Sequence, residues 1–365
     1  MAENPPPPAP EPITAKANPF TQYYAQLLHQ GNMLQDHVRT SIYQKAFLNN
    51  AVDFKDKVVM DVGTGTGILA FFAIQAGAKR VYAIEASDSI VVAQALAAAN
   101  GCLDKIVFVK GKVEEISESL VPEKVDIIIS EPIGFLLVHE RMLESYAAAR
   151  QRFLKPEGGL MMPTTGSIIL APITDDALYK EQLGKIAFWS NDNFYGVNLT
   201  PALEAAQSEY FSQPIVGYFP ASSIISPHRT CHTIDFSMVQ PEELHKFDIQ
   251  FKFKIDQTAI MHGLGGWFDI NFFGTAEHVQ LSTAPDQPGT HWYQCRLLFK
   301  DPLAVNKGQT VSGSLQFTAN EKFSYFLVLY AKIDGTDVET TNRINLHDQS
   351  YHYLYGGVQE TPASS

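Results

Sequence analysis

The chain of 365 residues lacks the features that mark membrane-spanning, secreted and metal-binding proteins. No apolar run approaches the roughly 18 residues that span a bilayer, and the opening MAENPPPPAPEP has neither the basic nor the apolar region of a signal peptide. The three cysteines, Cys102, Cys231 and Cys295, have no CxxC or paired spacing, which argues against a disulfide framework and a metal site. We therefore expect a soluble intracellular protein with reduced cysteines, no metal and no membrane contact.

An excess of basic residues is also missing. The chain has 27 Lys and Arg against 39 Asp and Glu, which gives a formal net charge of -12. This charge disfavours direct binding to nucleic acid and favours encounter with basic ligands.

The first part of the chain divides into a tail and an alternating pattern. Residues 1–18 are rich in Pro and Ala without an apolar period, which predicts a disordered tail. Over residues 19–162, short β-branched runs such as VVMDVG and VDIIIS alternate with helical patterns such as ILAFFAIQAG. This alternation predicts an α/β domain of the Rossmann type, with a doubly wound parallel sheet.

From residue 163 the pattern changes. Short alternating strands such as FDIQFKFKID and FSYFLVLYAKID continue to about residue 357, separated by Gly, Pro, Asn and Asp. They predict a mostly antiparallel β sandwich or barrel, followed by a tail over 358–365. Residues 177–211 interrupt this domain with helical patterns around the aromatic middle AFWSNDNFYGVNL, which is typical of an insertion that packs on something else.

Glycines and acids in the first domain predict a nucleoside ligand. Gly63, Gly65 and Gly67 lie in DVGTGTG, after a strand and before a helix, where glycine lets a ligand approach the backbone closely. Their G-x-G-x-G spacing differs from the G-x-G-x-x-G of dinucleotide-binding loops, which weakens the case for a nicotinamide cofactor. Glu85 ends the next strand, where it can take both ribose hydroxyls, and Glu114 follows the third, where it can accept from an adenine amino group. Without a phosphate cradle, this set fits S-adenosylmethionine better than a dinucleotide.

The segment SEPIGFLLVHERML (130–143) carries two glutamates, Glu131 and Glu140, in an otherwise almost wholly apolar loop. Isolated ionised carboxylates are costly to desolvate. The pair therefore predicts a cation between the two carboxylates, although the pattern alone leaves open which cation.

Four segments, VVMDVGTGTGILAFFAIQAGAKRVYAIEAS, GKVEE, SEPIGFLLVHERMLESY and LSTAPDQPGTHWYQ, closely resemble the protein arginine N-methyltransferases, and within them the coactivator-associated type. The resemblance extends over about residues 20–357. It implies a Rossmann domain that binds S-adenosylmethionine and releases S-adenosylhomocysteine, a β-barrel domain, and a homodimer formed through a helical arm near 177–211. The proline-rich tail stands where the animal coactivator-associated enzymes have an additional N-terminal domain, and we expect that domain to be missing.

The resemblance also implies a substrate and a product. The substrate would be arginine in proteins such as histone tails and RNA-binding proteins, in the nucleus and the cytoplasm. Type I members of the family, which make mono- and asymmetric dimethylarginine, carry one methionine in the N-terminal helix and another two residues after the second glutamate. Met33 and Met142 stand at those positions and predict the asymmetric product.

Carried over position by position, the resemblance implies roles for individual residues. The catalytic residues would be Glu131, Glu140, His291 and Asp36. The cofactor-binding residues would be Tyr24, Met33, Arg39, Gly63, Gly65, Glu85 and Glu114. The substrate-binding residues would be Met142, Trp292, Phe135 and His139. Arg39 would hold the carboxylate of the cofactor, and Asp36 would pair with His291 of the THW loop.

This sequence departs from the family pattern at a few positions. The aromatic motif YFxxY reads FTQYY, so that Thr21 replaces the second ring. Ile133 replaces the usual methionine of the hairpin, and Phe135 and His139 stand where the coactivator-associated type has Tyr and Asn. These changes leave the chemistry in place and affect the substrate preference.

A substrate arginine is then the cation between the two glutamates. A guanidinium stays charged, with a pKa above about 12, and its delocalised lone pairs make it a poor nucleophile. Two carboxylates that grip the planar fork draw positive charge toward the nitrogens they contact, and they offset the repulsion between guanidinium and sulfonium. The proton of the methylated nitrogen could leave to Glu140 or to the Asp36–His291 pair.

Other functions fit parts of the sequence. A methyltransferase for a small molecule or another side chain has no use for a second acid nine positions after Glu131. A catalytically silent scaffold subunit usually loses an acid or a glycine, whereas Gly63, Gly65, Glu85 and both hairpin glutamates are present. A symmetric or monomethylating arginine methyltransferase differs only in its product, and a nicotinamide oxidoreductase conflicts with the loop spacing.

Overall fold

The structure is a computed structural model that describes residues 18–352. The tails predicted over 1–18 and 358–365, apart from Asn18, and residues 353–357 of the predicted barrel domain lie outside this range. Among residues 18–352, no helix is long and apolar enough to cross a membrane.

The regular elements of the described chain are α-helices, short 3-10 helices and β-strands. The helices are α1 Pro19–Tyr24, α2 Leu27–Gln35, α3 His37–Leu48, α4 Ala51–Phe54, α5 Ile68–Gln75, α6 Ser89–Ala99, α7 Met142–Phe153, α8 Asp176–Ala187 and α9 Leu203–Phe211. Short 3-10 helices cover Leu103–Lys105, Glu118–Leu120, Phe188–Ser190, Thr200–Ala202, Ala221–Ser223 and Pro241–Leu244. The strands are β1 Val58–Val62, β2 Arg80–Glu85, β3 Ile106–Lys110, β4 Ile127–Ser130, β5 Leu160–Met162, β6 Thr165–Ile173, β7 Ile215–Val216, β8 Thr230–Asp235, β9 Lys246–Lys254, β10 Ala259–Phe273, β11 His278–Ser282, β12 Cys295–Val305, β13 Thr310–Asn320, β14 Ser324–Ile333, β15 Glu339–Asn345 and β16 Ser350–Tyr351.

The first five strands form a parallel sheet in the order β3-β2-β1-β4-β5. Strands β1 and β4 are buried at every position, as expected for parallel strands whose two faces are covered. Val62 at the end of β1 pairs with Ile84 of β2 on one side and with Ser130 of β4 on the other. The residues that follow these strands therefore lie at one edge of the sheet, where ligands bind in open α/β folds.

The later strands build two sheets that are mainly antiparallel. One has the order β16-β7-β12-β10-β6-β8, with β11 added to β10, and the other has the order β15-β14-β13-β9. In β9, Ile249, Phe251 and Phe253 are buried and alternate with exposed polar residues, because one face of the sheet packs on the core and the other faces solvent. The described chain thus has an α/β part with a parallel sheet followed by a β-rich part, as the predicted fold class requires.

The predicted insertion emerges between β6 and β7 as the two helices α8 and α9. Their bases pack against the β-rich domain through a small buried cluster. The aromatic segment between them is exposed: Phe188 is 48% exposed and Tyr195 is 94% exposed. Such apolar exposure is typical of a surface that another molecule covers.

Candidate active site

A cavity of about 390 Å³ opens at the carboxyl edge of the parallel sheet. Its walls are helices α1 and α2, the glycine loop, the ends of β2 and β3, and the hairpin that follows β4. Ten of the residues predicted for the site line it, namely Tyr24, Met33, Arg39, Gly63, Gly65, Glu85, Glu114, Glu131, Glu140 and Met142. The structure thus brings together residues that are far apart in the sequence.

The glycine loop lies against neighbours that leave no room for side chains. Gly63 and Gly65 have φ of 71° and 56°, a left-handed backbone that other residues rarely adopt. A Cβ atom on Gly63 would lie 2.4 Å from Cε of Met142, and one on Gly65 would lie 2.6 Å from Oε1 of Gln30. The loop therefore needs glycine for its left-handed conformation, while the nearby ends of Met142 and Gln30 belong to flexible side chains.

Glu85 is held in a fixed orientation beside this loop. Its Oε2 accepts a hydrogen bond from the amide of Gly65 at 2.9 Å, and its Oε1 accepts from the amide of Ser87 at 2.6 Å. The residue is 8% exposed and faces the cavity. Each carboxylate oxygen keeps a lone pair for a further donor such as a hydroxyl. Glu114 lines the cavity from an exposed position after β3.

The hairpin with the two glutamates has a strained backbone. Leu136, Leu137, Glu140 and Arg141 have φ of 49°, 70°, 75° and 56°. Non-glycine residues in this region cost on the order of 1–3 kcal/mol each and persist where the surroundings fix them. Trp292 is one such restraint, because its Nε1 donates to the carbonyl of Ile133 at 3.0 Å.

A second restraint acts at the end of the hairpin. The guanidinium of Arg141 forms a two-pronged ion pair with Glu144, at 2.7 and 2.9 Å, and donates to the carbonyl of Asn320 at 2.8 Å. The hairpin is therefore fixed both to α7 and to the turn between β13 and β14.

Glu131 pairs with Arg39 inside the cavity wall. Arg39 Nη2 lies 3.2 Å from Glu131 Oε2, and the two side chains are 5% and 11% exposed. Burial raises the pKa of Glu131 above its ordinary value, and the charge of Arg39 opposes this shift only in part. The Nε and Nη1 atoms of Arg39 are buried and have no partner among the described residues.

Glu140 has a different partner. Its Oε1 accepts a hydrogen bond from the Tyr24 hydroxyl at 2.8 Å. Burial raises the pKa of Glu140 to about 8, with the bond from Tyr24 opposing the shift and the charge of Glu131 adding to it. Glu140 is thus largely protonated at neutral pH, unless a cation comes close to it.

Asp36 and His291 form a pair next to the cavity rather than in its wall. Asp36 Oδ2 accepts from both the backbone amide and Nδ1 of His291, at 2.8 and 2.7 Å, while its Oδ1 caps α3 through the amide of Arg39. Burial raises the pKa of Asp36, but its hydrogen bonds outweigh this effect and leave the pKa below its ordinary value. Asp36 is therefore ionised and holds the imidazole in one orientation.

Three predicted substrate-binding residues lie outside the main cavity. Phe135 stacks on His139 with ring centroids 4.1 Å apart, and His139 is buried, with Nδ1 at 2.9 Å from the Ser324 hydroxyl. His139 lines a neighbouring cavity of about 470 Å³, which shares Phe20 and Phe323 with the main one. Burial lowers the pKa of His139 to about 3, so that this ring is neutral. The third residue, Trp292, is buried behind the hairpin.

Gln30 was not predicted from the sequence. It is 4% exposed, lines the cavity and donates from Nε2 to the carbonyl of Tyr24 at 2.8 Å. The spacing of Gln30, Met33 and Leu34, which all line the cavity, is the i, i+3, i+4 pattern of one helix face. That spacing is the signal that could have identified Gln30.

The described residues contain no group of three or more His, Cys, Asp or Glu side chains arranged to hold a metal ion.

Sequence comparisons agree with this arrangement. Residues 53–207 match a model described as a methyltransferase domain, and residues 164–329 match one described as the arginine methyltransferase oligomerization subdomain. The chain is 46% identical over 351 residues to a histone-arginine methyltransferase CARMER of Drosophila willistoni and 44% identical over the same length to that of Anopheles gambiae. Both alignments cover 96% of this chain, which spans 65% and 56% of the length of these two relatives.

Solved structures give the same result. Arabidopsis thaliana protein arginine methyltransferase 10 matches with a TM-score of 0.81 and 32% identity, over 89% of this chain and all of the other. A Trypanosoma brucei enzyme–prozyme complex of an arginine methyltransferase with AdoHcy matches with a TM-score of 0.77 and 31% identity, over 88% of this chain and 99% of the other.

The parallel sheet, the glycine loop and the acid at the end of β2 define a Rossmann-type methyltransferase domain joined to a β-rich oligomerization domain. The chain belongs to the protein arginine methyltransferase family.

Proposed function

We propose that this protein transfers methyl groups from S-adenosylmethionine to the guanidino nitrogens of arginine in protein substrates. One observation carries the proposal: two partly buried carboxylates on a strained hairpin face the same cavity as the glycine loop and the ribose-type acid. A second acid on the hairpin has no role in methyl transfer to a neutral acceptor, whereas a guanidinium fork needs both carboxylates.

The cavity fits the cofactor. Arg39 offers two buried donors that have no partner within residues 18–352, and these suit the carboxylate of a methionine group. Glu85 keeps acceptor positions for the two ribose hydroxyls, and Glu114 stands at the rim for the adenine amino group. When bound, S-adenosylmethionine supplies a methyl group on a positively charged sulfur, and S-adenosylhomocysteine is the product. The AdoHcy named in the Trypanosoma brucei complex supports this assignment.

The hairpin acids hold and polarise the substrate guanidinium. The charge of Arg39 favours the ionised form of Glu131 and opposes the burial that raises its pKa, and Glu140 becomes ionised when a guanidinium displaces the proton that burial favours. Two negative carboxylates then offset two positive charges in a site with little water, where such interactions are strongest. The proton of the methylated nitrogen leaves to Glu140 or, by relay, to the Asp36–His291 pair.

We assign the protein to the type I enzymes, whose product is asymmetric dimethylarginine formed through monomethylarginine. Met33 and Met142 line the cavity, and the Cε of Met142 lies against the glycine loop. Crowding of the pocket by these two methionines restricts which nitrogen approaches the sulfonium once one methyl is present. A difference of about 1–2 kcal/mol between the two approaches gives roughly 5- to 30-fold selectivity.

We further propose that the protein works as a homodimer through the α8–α9 arm and acts in the nucleus and the cytoplasm on histone tails and RNA-binding proteins. The exposed Phe188 and Tyr195 and the match to an oligomerization subdomain support the dimer. The histone-arginine relatives support nuclear substrates. Phe135, His139 and Trp292 act from the second cavity and behind the hairpin, and contribute to substrate preference rather than to methyl transfer.

The experiment is a methylation assay with paired peptides. The protein is incubated with labelled S-adenosylmethionine and histone-type peptides that differ only by Arg or Lys at one position, and the products are identified by mass spectrometry. We expect methylation of the Arg peptide alone, loss of activity in Glu140→Gln, and normal activity in a surface control, Glu123→Gln. Neutral loss of dimethylamine identifies the asymmetric product, and loss of monomethylamine would replace type I by the symmetric alternative.

A scaffold function predicts no labelled product with either peptide, although S-adenosylhomocysteine could still bind. That result would reject the catalytic proposal.

A further inference from the structure

Asn50 is a fully buried polar residue in the connection between α3 and α4, outside the cavity. Its Nδ2 donates to the carbonyls of Ala46 and Glu277, both at 2.9 Å. Its Oδ1 accepts from the amides of Ala276 and Glu277, at 3.0 and 2.8 Å. The side-chain amide therefore uses both donor hydrogens and both acceptor positions, three of them toward the turn between β10 and β11.

The rest of this turn fits closely around the same point. A Cβ atom on Gly274 would overlap the side-chain amide of Asn50, so only glycine leaves room for Asn50 at this point of the turn. Asp53 accepts hydrogen bonds from the amide and the hydroxyl of Thr275. The end of α3 and the start of α4 thus hold residues 274–277 of the β-rich domain.

The other end of α3 is hydrogen-bonded to a nearby loop of the β-rich domain. Asp36 caps the helix and accepts two hydrogen bonds from His291, in the loop that follows β11. Between the two ends, the ring of Tyr43 packs edge-on against Phe272 of β10, with centroids 4.9 Å apart. Helix α3 therefore spans from one attachment to the other, about 18 Å for 12 residues.

Arg39 lies in the first turn of this helix. Its Nη2 lies 3.2 Å from Glu131, and its two other buried donors have no partner among the described residues. These donors are positioned by helix α3 and not by the parallel sheet. A helix fixed at one end can pivot, and a shift of about 1 Å is enough to misalign a site. The attachment at Asn50 is about 16 Å from Arg39 along the helix, and it restricts this pivot.

We propose that Asn50 is a positioning residue for the cofactor site, which keeps Arg39 aligned with Glu131 and the cavity by fixing the far end of α3 to the β10–β11 turn. The proposal rests on the proposed function, in which Arg39 receives the carboxylate of the cofactor. According to this proposal the β-rich domain contributes to cofactor binding, although none of the predicted cofactor-binding residues lies on its strands.

The chemistry of the contact explains why the residue is an amide. The turn offers two backbone N–H donors and one carbonyl acceptor, and the carbonyl of Ala46 adds a second acceptor. A carboxylate matches the donors but sets an oxygen against the two carbonyls, while an apolar side chain leaves all four groups unpaired. Asn50→Asp therefore disturbs the attachment with almost no change in shape.

The test measures the affinity of the full chain for S-adenosylhomocysteine by calorimetry and its thermal stability. Asn50→Asp is compared with Val311→Ala as a control. Val311 is buried in the core of the β-rich domain, so its truncation removes packing there and leaves the contacts of α3 in place. We expect Asn50→Asp to weaken binding at least 10-fold, and Val311→Ala to lower the melting temperature while its affinity stays within twofold of the wild type. Affinity within twofold in Asn50→Asp, or an equal loss in Val311→Ala, would overturn the proposal.

A double-variant cycle separates positioning from general damage. If Asn50 acts through Arg39, Asn50→Asp added to Arg39→Lys costs less than twofold further, whereas independent effects multiply. A multiplied loss therefore rejects the proposal. If Asn50→Asp does not fold, Asp53→Ala serves instead, because it removes only the hydrogen bonds to Thr275. We expect it to weaken S-adenosylhomocysteine binding about threefold. An unchanged affinity in this variant would reject the proposal.

The wild-type measurement distinguishes the two levels of inference. If the wild type binds no S-adenosylhomocysteine, the proposed function fails and this proposal fails with it. If it binds and Asn50→Asp does not alter the affinity, only the role of Asn50 is rejected.

Discussion

Replacing Tyr24 with Phe removes one hydroxyl group, and we expect it to shift the pH dependence of catalysis. The hydroxyl donates to Glu140 at 2.8 Å and opposes the rise in pKa that burial and Glu131 produce, so that the pKa of Glu140 is about 8. At pH 7 most Glu140 side chains are then protonated. Since the guanidinium needs the ionised form, kcat/KM for an arginine peptide should rise with pH below 8 and level off above it.

The magnitude of the shift follows from the lost bond. A hydrogen bond to a charged group is worth about 1.5–3 kcal/mol, and one pKa unit corresponds to about 1.36 kcal/mol. Because Tyr24 stabilises the ionised carboxylate, its loss favours the protonated form and raises the pKa of Glu140 by about 1 to 2 units. In Tyr24→Phe the rising part of the profile moves to higher pH by this amount, and the two enzymes converge near the alkaline end.

The assay is the initial rate with a short arginine peptide from about pH 6.5 to 10, at saturating S-adenosylmethionine. The sulfonium is itself a cation and lowers the midpoint in both enzymes, but the difference between them remains. Tyr330→Phe, which removes a hydroxyl bonded to Glu339 outside the cavity, is the matched control and should leave the profile in place. Superimposable profiles, or an equal loss of rate at every pH, would refute the role assigned to the bond.

Further predictions concern the hairpin, the cofactor and the arm. Glu131→Gln should leave cofactor affinity nearly intact and lower kcat about 100-fold or more, on the order of 3 kcal/mol, in steady-state kinetics; near-normal turnover would contradict its role. Glu85→Ala should weaken S-adenosylhomocysteine binding in calorimetry, and unchanged affinity would reject the ribose assignment. Light scattering should give about twice the chain mass of 40.5 kDa, and Phe188→Ser with Tyr195→Ser should give the monomer. The exposed Met238→Ser serves as the control, and a dimer that survives the arm variant would exclude the arm as the interface.

Local patterns in the sequence predicted most of the fold. The run VVMDVG became β1 and the run VDIIIS contains β4, because continuous β-branched apolar residues suit strands covered on both faces. The insertion predicted over 177–211 corresponds to α8, an aromatic segment and α9, which runs to Phe211. These elements are determined by residues close in sequence, which is why their pattern was readable.

The contacts that shape the site were not readable in this way. Tyr24 reaches Glu140 across 116 positions, Trp292 reaches Ile133 across 159, and Asn50 reaches the β10–β11 turn across 226 or more. The contacts of Trp292 and Asn50 depend on how the two domains pack, and that of Tyr24 on packing within the first domain. No local period encodes any of them. The left-handed backbone of the hairpin was hidden for a related reason, because Leu136 and Leu137 carry none of the glycine signals that mark such positions.

The arrangement of partners explains how two carboxylates are kept in an apolar hairpin before a substrate arrives. Glu131 is neutralised by Arg39 and Glu140 by a proton, with Tyr24 as its hydrogen-bond donor, so neither carries an uncompensated charge. A bound guanidinium replaces the proton of Glu140, while Arg39 remains paired with Glu131. Arg39 still has two free donors for the carboxylate of the cofactor, so it serves the hairpin and the cofactor site together. Its alignment therefore affects both substrates, which is why a contact at the far end of α3 matters to the chemistry.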